Sequence, residues 1–181
     1  VEQFQNALNQ LLKQGAKGLV FDVREDGGGL VAALEKIVDP LLPAGDIATA
    51  TYQDGTTKVL VHSDANELNL PMMVLVNGNT ASAAELFTAS LKDFGKAEVI
   101  GEQTFGKGIM QNTFELPDGG AVTLTVATYQ TTKGECYHGV GITPDVIMEE
   151  DYEKVDFDHP NPEQDAQLKQ AMELLQSKIS S

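Results

Sequence analysis

The sequence has one cysteine, Cys136, which excludes an internal disulfide and leaves the redox compartment open. Nucleophilic cysteine chemistry needs a base, and none is placeable beside Cys136, so it reads as incidental. Cations are scarce as well: 12 Lys and Arg stand against 27 Asp and Glu, for a net charge of −15. Such a charge repels phosphate backbones and anionic membranes through long-range fields, so nucleic acid is not an expected partner. No run approaches the roughly 20 apolar residues of a membrane span, and no basic segment, apolar stretch and cleavage site open the chain. There is no initiator methionine either. The chain opens on Val1-Glu2-Gln3, as an excised fragment would, which leaves room for a targeting segment upstream. Metal spacings are missing: no pair among His62, His138 and His159 has helix-face or C-x-x-C spacing, so no metal site is expected. Their settings, a strand end, a glycine-flanked loop and an acidic stretch, favour surface roles over a Ser-His-Asp set.

What is present is the mix of one soluble globular domain, 41% hydrophobic and 22% charged over 181 residues. Phe4, Ala7, Leu8, Leu11 and Leu12 form the stripe of an amphipathic helix, and Gly15 is its stop. Residues 18–23 read as a buried strand running into Arg24-Glu25-Asp26-Gly27-Gly28-Gly29. A second helical stripe follows from Leu30 to Val38, closed by Pro40 and Pro43. Residues 47–52 and 57–61 form a hairpin across Gln53-Asp54-Gly55. Met72 to Val76 is a further buried strand, followed by Asn77-Gly78-Asn79 and a helix over 81–94. Strands at 98–100, 110–116 and 121–129 surround a 101–108 loop and a Pro117-Asp118-Gly119-Gly120 turn. The acids between Glu149 and Asp165 read as a solvated linker, and 162–179 as a final helix. Strand and helix pairs with inserted hairpins predict a mixed α/β domain. No internal repeat or low-complexity segment interrupts it.

Two segments carry candidate chemistry. Ser82 starts the 81–94 helix just past a strand and a tight turn, where free N–H groups and the positive end of the helix dipole converge. A hydroxyl held there suits acyl transfer, with the Ala83 amide as an oxyanion donor. Ser82-Ala83-Ala84-Glu85 is equally a capping box, in which the serine only satisfies backbone amides. Lys107, in Thr104-Phe105-Gly106-Lys107-Gly108, sits between two glycines beside a Phe. That setting is suited to bringing an amine into an apolar pocket. Burial there would have to lower its pKa from about 10.4 by about three units, roughly 4 kcal/mol against the charged form. The same stretch has the Gly101-x4-Gly106-Lys107 spacing of a nucleotide-binding loop. It lacks the Ser or Thr at position 108, and a strand pattern follows where a helix is required. Gly27 to Gly29 lacks the dinucleotide spacing and reads as a turn that supplies a backbone N–H.

Four segments together resemble one family, the C-terminal processing peptidases or tail-specific proteases of the S41 type. They are residues 18–29, residues 74–85 (Val-Leu-Val-Asn-Gly-Asn-Thr-Ala-Ser-Ala-Ala-Glu), residues 101–108, and residues 139–146 (Gly-Val-Gly-Ile-Thr-Pro-Asp-Val). The resemblance implies a crotonase-like or ClpP-like β/α core with a mixed sheet and flanking helices over 1–150. Residues 151–181 would then be an acidic linker and a helix packed on or trailing that core. It implies a serine endopeptidase with Ser82 as nucleophile, Lys107 as base 25 residues on, and Gln111 orienting the amine. Backbone N–H groups of Gly29 and Ala83 would hold the oxyanion, with no cofactor. The implied partners are protein C-terminal tails and an upstream PDZ domain in the full-length chain; a homo-oligomer is also compatible. The implied setting is extracytoplasmic, secreted or membrane-anchored. Two departures are visible: the usual Asn-Asn-Pro-Gly-Gly is Glu25-Asp26-Gly27-Gly28-Gly29, and the second serine common after the nucleophile is Ala84. The competing expectation is a catalytically silent relative that serves as a binding module or scaffold.

Overall fold

The structure, a computed structural model, describes residues 1–64 and 66–180. Its strands divide into two four-stranded sheets. One is parallel throughout and runs β1 (Leu19–Asp22), β4 (Met72–Val76), β5 (Ala97–Gly101), β8 (Val146–Ile147). The other is antiparallel throughout and runs β3 (Thr57–Ser63), β2 (Gly45–Tyr52), β7 (Ala121–Thr131), β6 (Ile109–Glu115). The α/β class expected from the sequence is therefore realised with the two pairing modes segregated. Hairpin turns join β2 to β3 and β6 to β7 in one sheet, and the helix between 83 and 93 crosses from β4 to β5 in the other.

The parallel sheet is covered on both faces, and β4 shows why its sequence is apolar at every position. Met72, Val74 and Val76 point into one hydrophobic cluster, while Met73 and Leu75 point into a second on the opposite face. The first cluster is completed by α2 (Val31–Val38), α3 (Ala83–Asp93) and the antiparallel sheet, through Leu34, Leu86, Leu91, Ile47 and Val61 among others. The second is covered by Ala171 and Leu175 of α4 (Ala166–Ser180). A period of two in β4 thus meets α3 on one side and α4 on the other. Helix α1 (Glu2–Lys13) buries none of its residues fully; Phe4 and Leu8 rest against the first cluster.

The last helix starts at Ala166, four residues later than its sequence pattern suggests. The Asp165 carboxylate accepts the Leu168 amide at 2.8 Å, as an N-cap does, and fixes the start there. Nor is the acidic stretch wholly solvated. Asp165 is buried and paired with the buried Arg24 guanidinium (2.6 Å), and Glu150 accepts the Gln167 amide (2.9 Å). The two-residue strand β8, which begins on the last residue of the 139–146 motif, is too short to leave a periodic signal.

Candidate active site

β1, β4 and β5 are neighbours in one parallel sheet, so their C-terminal ends lie side by side. The chain leaves them by three consecutive loops, 23–30, 77–82 and 102–108. These are the segments that hold the glycine run, Ser82 and Lys107, and the C-terminal edge of a parallel sheet is where α/β folds build their sites.

Ser82 is strained. Its φ of 58° and ψ of −119° lie where L-residues are rarely found, and among the described residues only Glu25 (φ 59°) is another non-glycine with positive φ. The strain aims the serine between strand and helix, at the head of α3. Ser82 Oγ lies 3.1 Å from Tyr129 Oη, and that phenol donates to the Lys107 carbonyl at 2.8 Å. Since the phenol spends its one proton on Lys107, Ser82 Oγ–H is the donor to Tyr129 Oη. Burial pushes the Tyr129 phenol above its ordinary value, so it stays protonated through the neutral range.

Beneath the serine, Glu85 is fully buried and accepts four hydrogen bonds. Its Oε2 takes the Ser82 amide (2.9 Å) and the Lys107 amide (2.7 Å). Its Oε1 takes the Gly106 amide (2.7 Å) and the Thr104 hydroxyl (2.6 Å). The capping box read from the sequence exists on its glutamate side, and the same carboxylate also holds the lysine loop. Cap and nucleophile are therefore compatible readings of one segment.

The lysine loop is fixed from its other side by the 139–146 motif. Gly139 N–H donates to Gly106 O (2.9 Å), Ile142 N–H to Thr104 Oγ1 (2.7 Å), and His138 Nδ1 to Gly106 O (3.2 Å). A Cβ on Gly141 would stand 2.2 Å from Thr104 O, so only glycine permits this approach. His138 is exposed, as expected, and also helps hold the lysine loop, while His62 and His159 make exposed contacts to Asp46 and Asp156.

Lys107 itself is half-buried, and among the described residues its ammonium makes no hydrogen bond or ion pair. Phe105 does not enclose it, as the sequence suggested. Its amide is tied to Thr80 O (3.0 Å) and its ring is 65% exposed. Gln111 lies on β6 opposite Thr125, exposed, with no hydrogen bond to Lys107. Ser82 and Lys107 are thus brought together through Glu85 and Tyr129, whereas Gln111 stands apart in this arrangement.

The glycine run borders Ser82 directly. A Cβ on Gly28 would lie 2.6 Å from both Ala81 O and Ala83 N, while Gly29 faces open space. The Gly28 amide is occupied by Asp26 Oδ1 at 2.8 Å. Ala83, first residue of α3, carries an amide that precedes helical hydrogen bonding. Gly28, Gly29 and Ala83 share the rim of a cavity of about 410 Å³, walled by Phe4, Phe21, Leu34, Ile37 and Phe87. Among the described residues no cluster of His, Cys, Asp and Glu is arranged to hold a metal ion.

Tyr129 and Thr104 left no sequence signal as site residues, because a strand tyrosine and a loop threonine are ordinary there. Glu85 did leave one, the Ser-x-x-Glu spacing, but spacing along the helix says nothing of a loop 22 residues away.

The model of "Peptidase family S41" matches residues 1–148. A carboxyl-terminal-processing protease of Synechocystis sp. is 37% identical over 94% of this chain and 39% of its own length. The chloroplastic C-terminal processing peptidase of Tetradesmus obliquus is 40% identical over 80% of this chain and 32% of its own. The solved structure of a photosystem II D1 C-terminal processing protease superposes with a TM-score of 0.74 at 38% identity, covering 80% of this chain and 38% of that one. The chain thus spans less than two-fifths of the length of these relatives. By family model, by sequence and by structure, this chain belongs to peptidase family S41.

Proposed function

We propose that this chain is the core of a serine endopeptidase that processes protein C-termini through an acyl-enzyme. The observation that carries the reading is the strained Ser82 tied by one buried carboxylate to the loop that bears Lys107. A scaffold has no use for a serine at φ 58°, and strain of this kind persists where contacts over-determine it for function.

In the resting arrangement the serine proton points at a neutral phenol, which is not a base. Rotation of the Ser82 hydroxyl toward a neutral Lys107 amine starts the reaction. The amine takes the proton as Oγ bonds to the scissile carbonyl carbon, and the carbonyl electron pair moves to oxygen. The amides of Ala83 and Gly29 stabilise that oxyanion, Gly28 being engaged by Asp26. The resulting ammonium of Lys107 returns the proton to the leaving amine. Water then attacks the ester, losing a proton to Lys107, and as the carbonyl re-forms the C–Oγ bond breaks and that proton returns to Ser82, releasing the new C-terminal acid. Lys107 is half-buried here, and bound substrate or further chain would enclose its amine. Gln111, four residues along the strand, would orient the amine in that closed state. No cofactor takes part.

The apolar cavity beside Gly29 and Ala83 would receive a substrate side chain. Protein C-terminal tails are the proposed substrates, following the names of the relatives, and an upstream PDZ domain in the remaining length is the proposed means of capture. An extracytoplasmic setting is proposed with them; among the described residues no helix is long and apolar enough to cross a membrane. The test is cleavage of a tail-bearing protein by the full-length enzyme. Ser82→Ala and Lys107→Ala should each abolish turnover, and a serine-reactive acylating probe should label wild type but not Ser82→Ala. Turnover surviving both substitutions would sink the reading.

A further inference from the structure

Among the described residues the two strained non-glycines, Glu25 and Ser82, belong to adjacent loops, and Glu25 is where the loops are stapled together. Its amide donates to Asn77 Oδ1 (3.1 Å), and Asn77 Nδ2 returns a hydrogen bond to Glu25 Oε1 (2.6 Å). Asn79 Nδ2 donates to both carboxylate oxygens (3.0 and 2.8 Å), while the Asn79 amide donates to Asn77 Oδ1 (3.1 Å). The turn that leads into Ser82 is thereby tied to one exposed carboxylate on the glycine loop. Flanking bonds extend the contact on both sides: Thr80 Oγ1 donates to Val23 O (2.8 Å) and the Ala81 amide to Asp26 O (2.9 Å). Three residues past Glu25, Gly28 packs against the Ser82–Ala83 backbone with no room for a Cβ.

From this geometry, and resting on the peptidase reading above, we infer that Glu25 is a positioning residue: its carboxylate, clamped by Asn77 and Asn79, sets the oxyanion loop against the nucleophile. The left-handed backbone of Glu25 is disfavoured for any residue with a Cβ, and Gly would relieve it. That a glutamate stands there follows if the side chain is needed more than the relief. Oxyanion donors act only when held within a few tenths of an ångström of the developing charge, so a loosened loop costs turnover and leaves ground-state binding intact.

The substitution that separates the two roles is Glu25→Gly in the full-length enzyme. For a residue that served stability alone, it would lower the melting temperature through the unpaired Asn77 amide and leave kcat unchanged. Positioning predicts instead kcat lowered roughly 10- to 100-fold with KM within about twofold, at temperatures where the variant remains folded. Glu25→Gln should restore kcat to within about threefold, because its carbonyl still accepts Asn77 Nδ2 and the Asn79 amide can turn to accept the new N–H₂. Asn79→Ala, which leaves the Glu25 backbone untouched, should lower kcat in the same sense and speed exchange of the Ala81 amide proton. A Glu25→Gly or Asn79→Ala enzyme whose kcat stays within about twofold of wild type overturns the inference. Ser82→Ala run alongside keeps the two claims apart. Loss of turnover there with normal turnover in the Glu25 variants refutes positioning alone, whereas turnover in Ser82→Ala removes the peptidase reading and this inference with it.

Discussion

Glu85 offers the sharpest perturbation because its two oxygens divide the site between them. Oε2 holds the Ser82 and Lys107 amides, and Oε1 holds Gly106 and Thr104. Glu85→Gln keeps the shape and replaces one oxygen by a donor. If the new N–H₂ took the Oε2 place it would face two amide donors. Turned over, it faces the Gly106 amide and Thr104 Oγ1, and a hydroxyl can accept. Oγ1 already accepts from Ile142 N–H at 2.7 Å and has a second lone pair. The turned-over form leaves one buried amide unpaired, a cost of about 1–3 kcal/mol. For a domain of this size that lowers the melting temperature by about 2–12 °C. The amides of Ser82 and Lys107 keep their acceptor, so labelling by a serine-reactive probe should continue. Glu85→Ala leaves all four donors unpaired, about 4–12 kcal/mol if none finds water, against a whole-domain stability of about 5–15 kcal/mol. It should melt far below the Gln variant or fail to fold. Thermal unfolding of the three proteins in parallel is the assay. An Ala variant that melts within about 2 °C of wild type would refute the claim that this carboxylate ties the site together.

Tyr129→Phe removes an acceptor from Ser82 and a donor from Lys107 O, and should cost about 0.5–1.5 kcal/mol in urea unfolding. Because burial keeps that phenol protonated, it is not the base. Probe labelling and the pH profile should therefore survive in Tyr129→Phe and be lost in Lys107→Ala. Asp165 is opposed by burial, but hydrogen bonds from Arg24 and the Leu168 amide win and hold it below the usual carboxylate value. A carboxylate lowered in the folded state stabilises above its unfolded pKa of about 3.9 and loses that contribution as the pH falls through the folded value. Melting of wild type should accordingly drop as the pH falls below about 4, whereas Asp165→Asn should start lower and change less there. At neutral pH, Asp165→Ala removes one of the two carboxylates paired with the buried Arg24 guanidinium and leaves Asp22 in place, so it should cost less than the about 3–5 kcal/mol of a fully unpaired buried charge.

How much of this was legible in the sequence depends on the range of the physics. Elements set by local period were readable: β4 is apolar throughout because both its faces are covered, and α3 begins where Ser82 and Glu85 announce a cap. The α4 start was misplaced because Asp165, which reads as one more acid in a run, is selected by a guanidinium 141 residues earlier in the chain. The same limit governed the site. Ser82 and Lys107 were found by their turns and glycines, which are local. Tyr129 was not, because it becomes a site residue only when β7 crosses beneath the sheet edge and carries its phenol to the serine.

The parallel sheet explains why residues so far apart in sequence converge. Three neighbouring strands end together and release three loops at one edge, and each loop is then short of backbone partners. Glu25 serves the first and second loops, Glu85 the second and third, and Thr104 joins the third to the 139–146 segment. The two glutamates therefore act in series, and Ser82 lies between them. In the proposed mechanism, loosening Glu25 frees the oxyanion side, while loosening Glu85 frees the base side. Glu25→Gly should thus slow turnover at a modest cost in stability, that of the unpaired Asn77 amide, and Glu85→Ala, which leaves four donors unpaired, should cost stability first.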